Sequence, residues 1–486
     1  MTKIFQTLFP IVFLIFCLAN IITLHDGHNW GDDFAQYILH AINLVEHKPY
    51  TENIALDLWT VVPPGFPLIL SALIYWVGVN FKILKLLNVI FCGFTALIAF
   101  FLVDKKMKYP WPQIVSIWFL TAPWFFFFKQ NVLSDIPFLF FVSLSIWVFL
   151  KYEEQAGKDN NSEQIFCVLS ILLMGYALLI RWAGISLFFG AILYFSVVRR
   201  DWKKSLGFIF GALVASVIGI NFSSSPNGHF GHSQFLPKDW LYAAWMNTAY
   251  IPKVLLDFVI SESYLSKFIG PTVFSIFKIL GPIIFLISTV FFMYKLSKRR
   301  ISFMGCFTFL YFLGIILWPV QQGASRYILP VIIPLTTYIL SWAQRLFKKS
   351  RIEKLLIGLF MIFIVKNLLV IGVNWKFNDD NLYQKETLEM AKWVIDNIPP
   401  SQHYMFYKPR ALRLLTNRTG AAFWVYPEDQ QHWYRRIKPL NIQYLISDKQ
   451  LDQVTQYNEV KLPVDNYELT FNKVWENSRY KIFEVK

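Results

Sequence analysis

The chain has 486 residues, 55% hydrophobic and only 16% charged, a composition that excludes a soluble globular protein and fits one crossing a bilayer many times. Its formal net charge of +15 does not indicate a nucleic-acid partner, because the Lys and Arg residues stand in short clusters between apolar runs, where they act as topology signals. Cys17, Cys92, Cys167 and Cys306 all lie inside apolar runs, which argues against a disulfide framework and against a Cys-x-x-Cys metal site.

The first apolar run, residues 4–24, follows Lys3, is long for a signal sequence and lacks a small-x-small cleavage motif, so it reads as a retained first span. Next comes HDGHNWGDDFAQY, residues 25–37, which sets Asp32 and Asp33 beside a membrane boundary. Unpaired charge there is costly, which makes the pair a functional-site candidate; the same two acids equally suit the positive end of a helix dipole, as an ordinary helix start. Over residues 34–47, Gln36, His40, Asn43 and His47 recur at helical spacing with apolar residues on the remaining faces, the pattern of an interfacial amphipathic helix. A helix packed on protein shares that periodicity. Residues 63–79 are apolar enough to span, but counting them reverses the side of every later loop, so they are read as a helix on the outer surface, started by Pro63 and Pro64.

Spans of about 20 apolar residues are predicted near 4–24, 83–103, 112–128, 136–151, 165–180, 183–198, 205–222, 270–294, 302–320, 327–343 and 353–373. With the N-terminus in the cytoplasm, the basic clusters at 105–108, 199–204, 295–300 and 348–351 all fall on the cytoplasmic side, as the positive-inside rule requires. The outer segments are then the loops near 129–135 and 181–182, a long loop at 223–269 that Pro226, Gly228 and Gly231 make irregular at its start, the QQGASRY turn at 321–327, and everything after about 374. That last part changes character: a helical pattern through Leu388, Ala391, Val394, Ile395 and Ile398 ends at Pro399-Pro400, and 442–447, 468–475 and 479–485 read as strands. The expected organisation is a transmembrane domain over 1–373 with a first outer loop at 25–82, and an extracytoplasmic α/β domain over 374–486.

On this topology Asp32, Asp33, Lys129, Asp135, Arg181, Gln321, Gln322 and Arg326 gather at the outer ends of the helices, with nothing comparable deep in the spans. A transporter places ionisable groups near the midplane; an enzyme working at the outer face places them as here. A carboxylate can take the proton of an acceptor hydroxyl as it attacks a sugar carbon, and arginines can hold a phosphate and stabilise the charge that builds on it as it leaves. That combination describes glycosyl transfer from a lipid-phosphate sugar.

GDDFAQYILHAINLVEHKPY followed by PPGFPLIL resembles the Asp-bearing first loop and Pro-Pro segment of the C-fold (GT-C) membrane glycosyltransferases, specifically the protein O-mannosyltransferase and aminoarabinose transferase relatives grouped in family 39. NVLSDIPFLFF (131–141) is similar to their second acidic loop, SRYILPVIIP (325–334) to their late Arg-Tyr segment, and KETLEMAKWVIDNIPP through IQYLIS to the extracytoplasmic domains of many bacterial members. The resemblance implies a polytopic GT-C-like fold of about 11 spans with outer-surface juxtamembrane helices. It also implies inverting transfer from a polyprenyl-phosphate sugar donor to a lipid, glycan or protein acceptor, with the first-loop aspartate as base. Members usually show Asp-Glu or a lone Asp where Asp32-Asp33 stands, and spacing back from Ala41, Asn43 and Glu46 favours Asp33. Asp135 then matches the second acid, Arg326 and Arg181 the donor phosphate ligands, and Lys129 a further one. Asp135 is also placed to cap a helix, since SDIP sets a capping residue before a first-turn proline. Either arginine is also placed to snorkel to the surface as an interfacial anchor, and Tyr327 reads as aromatic belt.

His25 and His28 beside the aspartates are weak metal candidates, because two histidines three apart in an irregular loop fix no coordination geometry; no cofactor is expected. The alternatives are a flippase or transporter for lipid-linked sugars, which the lack of midplane charge disfavours, and a membrane assembly protein with an outer binding domain, which has no need of clustered acids and arginines. The resemblance and the small outer domain imply a bacterial plasma membrane; an endoplasmic reticulum membrane obeys the same charge rule.

Overall fold

The computed structural model describes residues 2–56, 61–223, 237–259, 271–318, 325–346, 350–374, 381–422, 439–450, 459–464 and 467–485. In chain order its first helices are α1 (Thr2–Ile22), α2 (Asp32–Val45), α3 (Gly65–Val77), α4 (Phe81–Asp104), α5 (Trp111–Thr121), α6 (Pro123–Lys129), α7 (Asp135–Gln155), α8 (Asn160–Ile180) and α9 (Ile185–Leu193). They continue with α10 (Trp202–Ser223), α11 (Pro237–Val259), α12 (Pro271–Ser297), α13 (Phe303–Ile316), α14 (Leu329–Leu346) and α15 (Ser350–Asn374). Each run predicted to span is helical over most of its described residues. Seven helical stretches among the described residues are long and apolar enough to cross a bilayer, and shorter apolar helices cover Phe9–Ile22, Gly65–Val77, Phe303–Ile316 and Leu329–Trp342. The run at 112–128 is split into α5 and α6 at Ala122, whose extended backbone (ψ 130°) is what a residue before proline adopts.

Two expectations are corrected. The stretch expected as a loop at 223–269 contains α11, which buries Ala243, Met246 and Asn247 at helical spacing while Trp240, Leu241, Tyr242 and Trp245 stay exposed. Pro226, Gly228 and Gly231 mark only the start of that stretch, and residues 224–236 lie outside the described residues. The polar face of α2 is not wetted at an interface: Gln36, His40 and Asn43 are all buried. His40 Nδ1 donates to the Tyr50 carbonyl at 2.7 Å, and Asn43 Nδ2 donates to the carbonyls of Tyr50 (3.2 Å) and Glu52 (2.9 Å), fastening the segment that leads away from the helix. The opposite face, with Phe34, Ile38 and Ala41 fully buried, packs into the core shared with α3. α2 is therefore enclosed on both sides.

After α16 (Lys385–Asn397) comes a mixed sheet of β1 (His403–Phe406), β2 (Gly420–Ala422), β3 (Ile442–Asp448), β4 (Glu459–Val464), β5 (Tyr467–Glu476) and β6 (Tyr480–Val485), in the order β2-β1-β3-β6-β5-β4. β1 pairs in parallel with β2 and β3, and α17 (Pro409–Thr416) crosses from β1 to β2. The remaining pairs are antiparallel. This sheet region is joined to the segment between α1 and α3. The Leu382 N–H donates to the His28 carbonyl (3.1 Å), the Leu56 N–H to the Gly420 carbonyl (3.1 Å), and Trp30 Nε1 to the Tyr480 hydroxyl (3.0 Å).

Candidate active site

The first loop is laced to the segment between α6 and α7, and this brings the two acidic loops together. The His25 N–H donates to Gln130 Oε1 (3.1 Å), Asn29 Nδ2 to Asn131 Oδ1 (3.1 Å), and the Val132 N–H to His28 Nε2 (3.1 Å). Asn88 Nδ2 of α4 holds the Asn131 carbonyl from behind at 2.6 Å, and the Tyr37 and Ser134 hydroxyls pair at 2.7 Å. Asp33, in the first turn of α2, and Asp135, the first residue of α7, consequently face the same space.

Arg326 stands between them. Its Nη1 and Nη2 lie 3.4 and 3.5 Å from Asp33 Oδ2, and its Nε lies 3.4 Å from Asp135 Oδ1, an ion contact without hydrogen-bond alignment. Arg181, at the end of α8, donates through Nη1 to that same Asp135 Oδ1. Burial is the largest single influence and disfavours both guanidinium charges, but the Asp135 carboxylate together with the neighbouring tyrosines, and for Arg326 also Asp33, raises the pKa of each. Both cations also rest against the Tyr327 ring, Arg181 at 5.6 Å and Arg326 at 5.4 Å from its centroid, while the Tyr327 carbonyl accepts from the Tyr311 hydroxyl at 3.0 Å. Tyr327 thus does more than fill an aromatic belt.

The carboxylates differ sharply in access. The Asp33 side chain is 52% exposed, Asp135 only 1%, and Asp135 Oδ2 makes no hydrogen bond among the described residues. Ser134 precedes α7 and its side chain forms no cap bond, and the Asp135 carboxylate goes to the arginines rather than to its own helix. Asp32 points elsewhere: it accepts the Arg410 and Ala411 N–H groups at 3.1 and 3.2 Å and pairs with the Arg410 guanidinium.

Of the predicted site residues, Asp33, Asp135, Arg181 and Arg326 meet in one place. Lys129 does not join them: fully buried, it donates to the Asn20 carbonyl and the Thr23 hydroxyl and covers the Phe126 ring. His28 has both ring nitrogens engaged, Nδ1 with the Asn29 carbonyl and Nε2 with Val132, and stacks on Phe34. His25 binds through its backbone, its carbonyl accepting from Lys85 at 3.0 Å. Among the described residues no group of three or more His, Cys, Asp and Glu is arranged to hold a metal ion. Gln321 and Gln322 lie outside the described residues. The reading from sequence missed Arg410, Tyr37 and Ser134; the one signal for Arg410 is that α17 opens with Lys408-Pro409 and brings no capping side chain of its own.

No protein-family model matches the chain, and no curated protein sequence matches it. Solved structures do. The apo oligosaccharyltransferase of Archaeoglobus fulgidus superposes with a TM-score of 0.51 at 13% identity, over 90% of this chain and 69% of that one. ArnT from Cupriavidus metallidurans superposes with TM-scores of 0.55 in the apo state (12% identity, 99% and 98% of the two chains) and 0.54 bound to undecaprenyl phosphate (11%, 100% and 98%). At such identities what is shared is architecture, and the chain has the fold of the GT-C membrane glycosyltransferases.

Proposed function

We propose that this protein transfers a sugar from a polyprenyl-phosphate-linked donor to a hydroxyl of a lipid, glycan or protein acceptor, with inversion, at the outer face of a bacterial plasma membrane. The observation that carries the proposal is Arg326 lodged between the exposed Asp33 and the buried Asp135, with Arg181 also on Asp135. Two fixed guanidinium groups suit a phosphate, and an accessible carboxylate beside them suits a base. That ArnT has been captured with undecaprenyl phosphate supports a donor of this class.

In the reaction Asp33 takes the acceptor hydroxyl proton as that oxygen bonds to the anomeric carbon. The bond from that carbon to the phosphate oxygen breaks on the opposite face, and its electron pair leaves with the polyprenyl phosphate. Arg326 and Arg181 hold the departing phosphate; because charge grows there as the bond stretches, they bind the transition state more tightly than the donor. Asp135 keeps both guanidinium groups aimed before the donor arrives. Asp32 is unsuited to the base role because α17 and Arg410 already occupy its oxygens. In this reading the N-terminus is cytoplasmic, residues 1–373 form the transferase domain and 374–486 an extracytoplasmic domain, a topology that the placement of the basic clusters supports.

The test is sugar release from a panel of undecaprenyl-phosphate hexoses and pentoses by the purified protein and its Asp33→Asn variant. Loss of the base is expected to lower kcat by roughly 10²- to 10⁴-fold with donor binding retained. Full turnover by Asp33→Asn removes Asp33 as base.

A further inference from the structure

The carboxylate next to the proposed base is held from far along the chain. Asp32 opens α2, and its Oδ1 accepts the Arg410 and Ala411 N–H groups at 3.1 and 3.2 Å. Its Oδ2 takes Arg410 Nε, and Arg410 Nη1 reaches on to Gln36 Oε1, one turn further along α2. Asp32 therefore does for α17 what an N-cap residue does within a helix, satisfying N–H groups that have no partner in the first turn. Arg410 in return grips α2 at positions i and i+4, which lie on one face. A planar fork across two such positions restricts rotation of the helix about its axis as well as its location. The grip is reinforced by Trp30 Nε1 on the Tyr480 hydroxyl and by the Leu382 N–H on the His28 carbonyl. Asp33 follows Asp32 directly and turns toward Arg326 on a different side of the helix.

We infer that Arg410 is a positioning residue for sugar transfer: by clamping Asp32 and Gln36 it sets the rotation of α2 and so the aim of the Asp33 carboxylate at the acceptor hydroxyl. The inference rests on the reading of Asp33 as the base. A site of this kind works only when its groups are held within about 0.5 Å and 10–20° of the productive geometry, and Asp33 itself, half exposed with ion contacts no shorter than 3.4 Å, has little else to fix it.

The test uses the full chain in lipid nanodiscs, with undecaprenyl phosphate as binding probe and the undecaprenyl-phosphate sugar that the unmodified protein turns over as activity probe. Arg410→Ala is expected to bind undecaprenyl phosphate with unchanged affinity and full stoichiometry while kcat per binding site falls roughly 10- to 100-fold. Arg410→Lys, keeping the charge but not the fork, recovers part of the loss. Unchanged kcat per site in Arg410→Ala, a fall that only tracks lost binding sites, or no recovery in Arg410→Lys overturns the inference. Should Arg410→Ala fail to fold, Gln36→Leu leaves the Asp32 cap in place and is expected to lose kcat several-fold on full binding sites, and wild-type kcat there overturns the inference as well. Asp33→Asn run alongside separates the failures: if it turns over normally the base assignment falls, whereas if it is inactive and Arg410→Ala is fully active only the positioning role falls.

Discussion

Arg181 and Arg326 both meet Asp135, yet removing one of them should be far more damaging to the fold than removing the other. The Arg181 side chain is 17% exposed and Asp135 1%, so Arg181→Gln leaves a buried carboxylate whose remaining cation stands 3.4 Å away and poorly aligned. Stranding one member of a buried pair costs about 3–5 kcal/mol, of which Arg326 offsets a part, leaving an expected loss of about 2–3 kcal/mol. Arg326→Gln loses its contact with half-exposed Asp33, worth under about 1 kcal/mol, and leaves Asp135 with its better partner. Combining Arg181→Gln with Asp135→Asn removes the stranded charge, so the double variant should be more stable than the sum of the single effects by about 2 kcal/mol. Reversible unfolding in mixed detergent micelles, followed by tryptophan fluorescence, measures all four variants against the unmodified protein. Equal losses from the two arginines, or an additive double variant, would refute the reasoning that Arg181 chiefly neutralises Asp135.

Burial pushes the pKa of both His28 and His40 down to about 3, with Lys85 adding to the effect on His28 and Arg410 to that on His40. Both are neutral when folded and take up a proton on unfolding near pH 6.5, so their stabilisation is complete above that pH and is lost as the pH falls toward 3. The loss by pH 5 is about 2 kcal/mol for each, and an unfolding free energy that stays flat between pH 7 and 5, or one whose slope is unaltered in His28→Asn, contradicts it. Gly65→Ala places a Cβ 2.7 Å from the backbone carbonyl carbon and oxygen of Leu179, forcing α3 away from the end of α8. Neither backbone can yield cheaply, so a loss of about 1–3 kcal/mol is expected in the same unfolding assay, and an unchanged midpoint counts against this close approach.

The apolar helices were legible because each is a long apolar run, and Asp33, Asp135, Arg181 and Arg326 were legible as candidates because charge at the edge of such a run has a cost that draws the eye. What joins them was not. The bonds from Asn29 to Asn131 and from Val132 to His28 pair side chains and backbone across about a hundred residues, and no periodicity records such pairings. Gln36, His40 and Asn43 show the limit of the amphipathic pattern: it reports which face is polar, not whether water or protein lies against it. Here the polar face meets carbonyls of the following segment and an arginine 374 residues away. Local spacing favoured Asp33 over Asp32, but what occupies the Asp32 oxygens, that same arginine, lay beyond any reading of the local sequence.

The bond between Asp32 and Arg410 spans 378 residues. At the usual pace of synthesis, about 5–20 residues per second, roughly 20–75 s separate the emergence of its two ends from the ribosome. Throughout that interval the spans can be laid into the bilayer one after another, while Asp32 and Gln36 of α2 lack their Arg410 partner. The clasp closes only once residues 409–411 have been made. A growing chain can therefore lay down its helices and carry Asp33, Asp135, Arg181 and Arg326 before the clasp exists, so that under the positioning role proposed for Arg410 the aim of the Asp33 carboxylate is set only after residue 411 has been made.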